Sequence, residues 1–215
     1  MPNRHEPKPD AIRRREAILG AAKKVFLEHG YELTSMDLIA KQAGTTKRTV
    51  YAHFKNKDAL FAAMAHHGAQ QFLDWLGDLN PNLPDYRREL ERFATRYCEL
   101  STFRSAMLFQ RTVIAESKRF ANRKRDLSGA MSGRALAILA RYLEDLDRRD
   151  ILKVPNPILA ATQFLDLTSA SMRFATLFGA MAPLPDPQPD PRGPLKRLAH
   201  IRPAVDLFLR GYTRR

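Results

Sequence analysis

The chain has 215 residues, 44% of them hydrophobic, which is enough to build the core of one large domain or two small ones. A single cysteine excludes an intramolecular disulfide framework, and no uninterrupted apolar run approaches the roughly 18–20 residues that a membrane span requires. A formal net charge of +13 favours a polyanionic partner such as nucleic acid, although the charge divides almost evenly between residues 1–57, with +6, and the remainder, with +7.

The amino-terminal residues 1–9 contain three prolines among charged side chains and are expected to form a mobile arm. This arm either frays in solvent or carries Arg4 and Lys8 towards the phosphates or the minor groove of a duplex. A first helix is then predicted from about Asp10 to His29. Gly30 follows it as the expected C-cap.

Residues 34–57 have the pattern of two short helices around a glycine turn, followed by the start of another helix. Thr34 and Asp37 have the spacing of a capping box. Gly44 stands where the chain must reverse, a position that often needs a positive φ. Thr46 is placed to cap the second short helix. The segment therefore predicts a helical hairpin with defined ends.

The second short helix is expected to have one apolar and one polar side. Val50 and Phe54, four residues apart, face inward. A helix this short is not stable alone in water, so it must pack against its neighbours. The side chains left facing solvent are Lys47, Arg48, Thr49, Tyr51 and His53. Such a polar, cationic helix suits the major groove of DNA; the alternative is a plain surface hairpin.

The rest of the chain has helical periodicity and no clear run of alternating residues, so the predicted class is all-α, with nine or ten helices in total. After Asn56 as a cap, helices are expected over about 57–79, 85–101, 103–116, one or two segments up to about 149, then 158–181 and 195–212. Pro203 is expected to kink or break the last of them. Residues 182–194 carry six of the 14 prolines and favour a stiff connector.

Catalytic and metal-binding patterns are weak throughout the sequence. There is no His-x-x-x-His pair, no phosphate-cradling glycine loop and no Gly-x-Ser-x-Gly elbow. Cys98 lies in an apolar-periodic segment, which favours a buried core residue over a redox sensor. We therefore expect no enzymatic activity, no metal and no cofactor.

The run from Ile18 to Phe61 resembles the amino-terminal domain of the TetR (tetracycline-repressor) family of transcription regulators. The matching elements are Ile18-x-x-Ala21-Ala22-x-x-x-Phe26, Gly30-Tyr31, Ile39-Ala40-x-x-Ala43-Gly44 and Tyr51-x-His53-Phe54-x-x-Lys57-x-x-Leu60. Further along, Val113-Ile114-Ala115-Glu116-x-x-Arg119-Phe120 and Ala160-Ala161-x-x-Phe164-Leu165-x-Leu167 resemble an AefR-like C-terminal subtype of that family. We accordingly expect an arm at 1–9, a three-helix helix-turn-helix domain at 10–56, and a larger helical ligand-binding and dimerisation domain at 57–215.

The resemblance also implies which side chains meet DNA. Phosphate contacts are expected from Thr34 or Ser35 at the start of the second helix, and from Tyr51, His53 and Lys57. Base edges are expected to be reached by Thr46, Lys47, Arg48 and Thr49, at the leading end of the third helix. Many family members have a small residue, often glycine, where this chain has Arg48, so Arg48 is the main candidate for sequence choice. Alternatively, Thr46 only caps its helix and Tyr51 packs against the first helix.

Members of the family form homodimers through their last two long helices, here about 156–181 and 195–212. A symmetric dimer implies a near-palindromic double-stranded operator with half-sites about one helical turn apart. The resemblance further implies a repressor released by an unidentified small molecule held between helices five to eight. Mixed side chains that would suit such a site are Phe103, Met107, Gln110, Arg111 and Phe174; the alternative is that the apolar ones are core and Arg111 is at the surface.

The alternative function is a non-inducible architectural DNA-binding protein with little sequence preference. No secretion signal precedes the first helix, and with no membrane span in the sequence we expect a cytoplasmic protein associated with the nucleoid.

Overall fold

The structure, a computed structural model, describes residues 9–116, 132–186 and 199–213. These ranges contain nine helices and no β-strand, which confirms the predicted all-α class. The helices are α1 (Pro9–His29), α2 (Met36–Gln42), α3 (Lys47–His53), α4 (Lys57–Leu76), α5 (Tyr86–Thr102), α6 (Arg104–Ala115), α7 (Ser132–Arg148), α8 (Pro157–Leu177) and α9 (Ile201–Tyr212). None of the helices in these ranges is long and apolar enough to cross a membrane.

Side-chain caps set the starts of five helices. Each cap accepts a hydrogen bond from the backbone N–H three residues further on, a donor that otherwise has no partner within the helix. The capping residues are Ser35, Thr46, Asn56, Asp85 and Asn156. The expected caps at Thr46 and Asn56 are therefore confirmed.

Two glycines allow the turns on either side of α2. Gly30 ends α1 with φ +75°, and its N–H donates to the carbonyl of Phe26 at 2.9 Å. Gly44 has φ +62° and reverses the chain between α2 and α3. L-residues with a side chain are strained in this left-handed region, so both turns depend on glycine, as predicted.

The chain builds two hydrophobic cores that share one helix. The first packs α1, α2 and α3 against the first half of α4, around Phe26 and Phe61. The second packs the end of α4 with α5, α7, α8 and α9, around Phe93 and Phe164. Residue 57, the expected domain boundary, is thus the start of a helix that contributes to both cores.

α6 contacts both parts of the molecule. Phe109 packs on the first core. Arg111 donates from Nε to the carbonyl of Leu177 at 2.9 Å, and so holds the end of α8. At the start of α6, the carboxylate of Asp186 accepts a hydrogen bond from the Ser105 N–H at 2.8 Å. α6 is therefore fastened to the helix-turn-helix side and to α8 at once.

Pro203 does not break the last helix, contrary to the prediction. α9 begins at Ile201, so Pro203 lies in the first turn, where its missing N–H would have no acceptor within the helix. α8 ends at Leu177, earlier than the predicted 181, and the turn at Gly179 (φ +82°) follows it. Predictions that concern residues 1–8, 117–131 (which include Arg119 and Phe120) and 187–198 lie outside the described residues.

Candidate nucleic-acid interface

α3 packs against the molecule by its apolar side and presents its polar side to solvent. Val50 is fully buried and Phe54 is 5% exposed, which confirms the expected inward face. On the other side Arg48, Tyr51 and Ala52 are exposed. A helix of seven residues is thus held in place by its neighbours and leaves a polar surface open.

The leading end of α3 carries hydroxyl groups and a paired lysine. The Thr46 hydroxyl accepts from the Thr49 N–H at 3.2 Å, and the two hydroxyl oxygens lie 2.9 Å apart. The Lys47 ammonium donates to the Asp37 carboxylate of α2 at 2.9 Å, and this hydrogen bond raises the pKa of Lys47 above its ordinary value. Both side chains of this ion pair are more than half exposed. Exposed pairs contribute little to stability, so Lys47 is able to exchange Asp37 for another acceptor.

Arg48 differs from Lys47 in its surroundings. It is exposed, and no hydrogen bond or ion pair with another described residue holds its guanidinium. The five N–H donors of an arginine form a fixed fork that matches O6 and N7 of guanine in the major groove. Arg48 therefore presents to solvent the kind of donor group that pairs with a guanine edge.

The start of α2 gives two adjacent hydroxyls different roles. Ser35 is exposed and is the N-cap, since its Oγ accepts from the Leu38 N–H at 3.1 Å. Thr34 is 2% exposed, and its hydroxyl donates to the carbonyl of Gly30 at 2.6 Å. The expected capping box of Thr34 and Asp37 is therefore wrong: the N-cap is Ser35, and the residue three positions on, Leu38, has no side-chain acceptor to complete a box. Ser35 is the hydroxyl that faces solvent.

The end of α3 lies beside Arg15 of α1. His53 is partly exposed, with its ring centroid 6.3 Å from that of Phe54. The guanidinium of Arg15 lies 5.4 Å from the Phe54 centroid, within cation–π range. Arg15 thus brings the positive charge of α1 next to the end of α3.

Lys57 points into the molecule. Its ammonium donates to the carbonyls of Tyr31 and Thr34, each at 2.9 Å, and to the carbonyl of Glu32 at 3.4 Å. It also lies 4.3 Å from the centroid of the Tyr31 ring. Three backbone acceptors occupy the three donors of the ammonium group. This geometry favours a role in fixing the loop between α1 and α2 over a contact with phosphate.

Tyr31 and Asp58 complete this arrangement, and sequence reasoning did not find their contact. The Tyr31 hydroxyl donates to the Asp58 carboxylate across 27 residues of sequence. Tyr31 is 2% exposed. The available signal was the Gly30-Tyr31 pair in the family motif. We call Tyr31, Lys57 and Asp58 the loop clamp, because they fasten the α1–α2 loop to the start of α4.

A metal site and a reactive thiol were not expected from the sequence. Within the described ranges no group of three or more His, Cys, Asp or Glu side chains is arranged to hold a metal ion. Cys98 is fully buried, and burial raises the pKa of its thiol to about 11. It is a core residue, as predicted.

The side chains suggested for an effector site do not share one pocket. Phe103 lines a cavity between α1, α4, α5 and α6. Met107 is core, Gln110 donates to the carbonyl of Ser101 at 3.3 Å, and Arg111 holds the end of α8. Phe174 is 59% exposed on α8. Helical periodicity alone cannot separate these five environments, and Phe103 is the one of the five side chains that lines this cavity.

A short exposed helix supported by a three-helix core, followed by a helical bundle, defines a helix-turn-helix DNA-binding protein. Residues 18–64 match the family model for the tetR family of bacterial regulatory proteins. Residues 88–214 match the model for the C-terminal domain of AefR-like transcriptional repressors. The chain belongs to the TetR family, and it is a transcriptional regulator, not an enzyme.

Most of the curated relatives match only a limited stretch of the chain. The HTH-type regulator YhgD of Bacillus subtilis is 51% identical over 51 residues, which are 24% of this chain and 27% of that protein. The repressor AcnR of Corynebacterium diphtheriae is 27% identical over 135 residues, 62% of this chain and 70% of that protein. The part of the chain that matches YhgD thus spans about a quarter of that protein's length.

Solved structures match over nearly the whole chain. A TetR-family regulator from Mesorhizobium loti superposes with a TM-score of 0.82 at 24% identity and covers 97% of this chain and 100% of its own. The flavonoid-responsive regulator FrrA has a TM-score of 0.75 at 28% identity and covers 94% and 98%. The first of these bears on the fold alone.

Proposed function

We propose that two copies of this chain bind a near-palindromic operator, repress transcription in the cytoplasm, and leave the DNA when a small molecule binds. The observation that carries this proposal is the polar outer face of α3, which stands on a buried apolar face and carries Arg48 without a partner among the described residues. In this proposal Thr46, Lys47, Arg48 and Thr49 meet base edges, and Ser35, Tyr51 and His53 meet phosphates. Thr34 and Lys57 position the elements that make these contacts.

An exposed apolar surface on α8 and α9 supports the dimer. Phe174 and Phe178 are 59% and 79% exposed, and their rings stack with centroids 6.2 Å apart. Leu167 on α8 and Leu207 on α9 are also exposed. Large exposed apolar side chains grouped on neighbouring helices mark an interaction surface. We assign this surface to a second copy, with α8 and α9 as the helices concerned.

A small-molecule effector fits a two-state regulator. A ligand that binds better to a form with wrongly spaced recognition helices draws the population away from the operator. FrrA, which is similar to this chain over nearly its whole length, is described as flavonoid-responsive. We propose a flat aromatic effector for this chain.

Replacing Arg48 tests which contact chooses the sequence. Arg48→Ala is expected to lose about 1–3 kcal/mol of binding free energy at one base pair per half-site, because the paired donors of the guanidinium are removed. Binding of duplexes substituted at each position, followed by fluorescence anisotropy, measures this loss. Arg48→Lys keeps the charge without the fork, so it should lose the same preference and keep more of the general affinity. Equal losses on every sequence would make Arg48 a phosphate contact.

Replacing Lys57 separates an internal role from a phosphate contact. Lys57→Met keeps much of the aliphatic stem and removes the ammonium that three carbonyls accept. We expect the protein to be destabilised by about 1.5–3 kcal/mol, the range for hydrogen bonds to a charged group, with weaker operator binding at every salt concentration. The slope of log affinity against log salt should not change. A slope reduced by about one unit per Lys57 would show a phosphate contact instead. Lys55→Met, at an exposed neighbouring lysine, is the control for stability.

Selection of bound duplexes from a random pool, repeated at two salt concentrations, tests the function as a whole. The proposal predicts an enriched palindrome whose preference persists when salt is raised. The second candidate, an architectural DNA-binding protein, is favoured only by the high net charge. It predicts binding to all duplexes with a steep and uniform salt dependence.

A further inference from the structure

One acidic side chain lies among the basic ones of the helix-turn-helix. Between residues 33 and 57 the sequence has five Lys or Arg side chains and a single acid, Asp37. Asp37 lies in the first turn of α2, and its side chain is 61% exposed. An exposed carboxylate on a surface that meets DNA repels the phosphates of the duplex. Asp37 therefore opposes the general attraction that the neighbouring cations supply.

The carboxylate of Asp37 is bonded to α3. Its Oδ2 accepts a hydrogen bond from the Lys47 ammonium at 2.9 Å, across ten residues of sequence. An acid in the first turn of a helix also favours the helix dipole, but that role needs no partner on another helix. The bond to Lys47 instead connects the start of α2 with the leading end of α3, where base edges are expected to be reached.

The ion pair restricts what Lys47 is able to reach. A lysine ammonium has three donors, so one bond to Asp37 leaves two for DNA. A free lysine is a mobile point charge on a flexible stem, and it binds whichever phosphate comes within reach. Lys47 has already lost part of that freedom before DNA arrives, which lowers the cost of ordering it in one position. An ammonium held in one position discriminates between acceptors by where they lie.

Arg48, the next cation along α3, has no such restraint. It is exposed, and no hydrogen bond or ion pair with another described residue holds it. Lys47, by contrast, is both neutralised and oriented by an acid of the preceding helix. Because the Asp37–Lys47 pair has no net charge, it adds little to the attraction of α3 for duplexes of any sequence.

We infer that Asp37 is a positioning residue for sequence choice: it keeps the Lys47 ammonium from phosphates and aims its free donors at one base acceptor of the operator. On a duplex of unrelated sequence, Lys47 gains a phosphate only by leaving Asp37, and the carboxylate then stays unpaired beside the duplex. Asp37 therefore weakens binding to unrelated DNA more than binding to the operator. This inference rests on the proposed function, because it requires a preferred operator sequence.

Removing the charge of Asp37 should lower the sequence preference of the protein. Asp37→Asn keeps the size of the side chain and releases Lys47. We expect about five- to tenfold tighter binding to an unrelated duplex, and a slope of log affinity against log salt that is steeper by about one unit, because one more cation displaces counterions. Operator affinity should change by less than about twofold, since the charge gained is offset by the orientation lost. The ratio of the two affinities should thus fall about fivefold or more.

A double-mutant cycle shows whether Asp37 acts through Lys47. Lys47→Met removes the ammonium, and adding Asp37→Asn to it should leave the affinity ratio unchanged, because no ammonium remains to be positioned. Asp37→Glu keeps the carboxylate and should keep most of the ratio. Asp74→Asn is the matched control, at an exposed acid of α4 that accepts from the Gln70 amide at 2.8 Å, a bond that asparagine is able to keep. It should bind both duplexes as the unmodified chain does.

Fluorescence anisotropy on the selected operator and on a scrambled duplex of the same length, over a range of salt concentrations, measures these ratios and slopes. Urea denaturation of each variant separates them from effects of unfolding. If the unmodified chain selects no palindrome, the proposed function itself fails. If it selects one, an affinity ratio that Asp37→Asn leaves unchanged would overturn the inference. A ratio that falls equally with and without the Lys47 ammonium would do the same, because Asp37 would then act on DNA by itself.

Discussion

Phe61→Ala is expected to destabilise the protein by about 3–5 kcal/mol, the cost of removing a fully buried aromatic side chain and leaving a cavity. Phe61 has no exposed surface. Its ring meets Phe26 edge on at 5.0 Å, Tyr31 at 5.3 Å and Phe109 at 6.0 Å. The loss of unfolding free energy falls on the first core, which supports α3 and the loop clamp. Operator binding is therefore expected to fail before the bundle unfolds.

Urea denaturation followed by circular dichroism, together with anisotropy on the operator, measures both effects. Phe164→Ala is the matched control, because Phe164 is also fully buried and meets Phe208 edge on at 5.0 Å, but in the second core. It should lose a similar unfolding free energy and keep operator affinity wherever the protein remains folded. Unchanged operator binding by Phe61→Ala would contradict the supporting role given to the first core.

The double substitution Phe174→Asp and Phe178→Asp is expected to produce a monomer. Two carboxylates without partners would have to be buried in an apolar interface, which strongly disfavours association. A monomer reaches one half-site at a time, so the operator affinity should fall by about 100-fold or more with the loss of the second contact. Stability of the monomer itself should change little, because both side chains are exposed in one copy.

Sedimentation equilibrium and operator binding test this expectation on the same preparations. Leu83→Asp places a carboxylate at an exposed leucine in the loop before α5 and serves as the control. It should remain dimeric and bind as the unmodified chain does. A double variant that stays dimeric would show that the two copies meet elsewhere.

Local features were predicted best from the sequence. The glycine turn at Gly44, the cap at Thr46 and the buried pair Val50 and Phe54 follow from residues no more than a few positions apart. Their conformations and spacings are decided within one or two turns of helix. For this reason the amino-acid sequence alone is sufficient to predict the helix-turn-helix.

Features that depend on distant contacts were not predicted. Lys57 resembles a phosphate-binding cation at a helix start, yet its acceptors lie 23 to 26 residues earlier in the chain. Pro203 resembles a helix breaker when the helix is predicted to begin at 195. No side-chain cap marks the true start of α9 at Ile201, so the sequence does not show that Pro203 lies in the first turn. Arg111 resembles a pocket residue, and its acceptor, Leu177, is 66 residues away. The cavity that Phe103 lines is formed by four helices, and no local pattern encodes it.

The central claim is that α3 faces a duplex twice per dimer, and one measurement tests it most directly. Cys98 is the single cysteine of the chain, and it is fully buried, so a cysteine placed on the exposed face of α3 is the thiol that a reagent will reach. Ala52→Cys lies one turn after Arg48 on that face and is able to carry a tethered iron–EDTA cleaving group. On the selected operator we expect two symmetric clusters of strand cleavage, centred about one helical turn apart. Cleavage spread evenly along the duplex, or none at all while the protein is bound, would contradict the account.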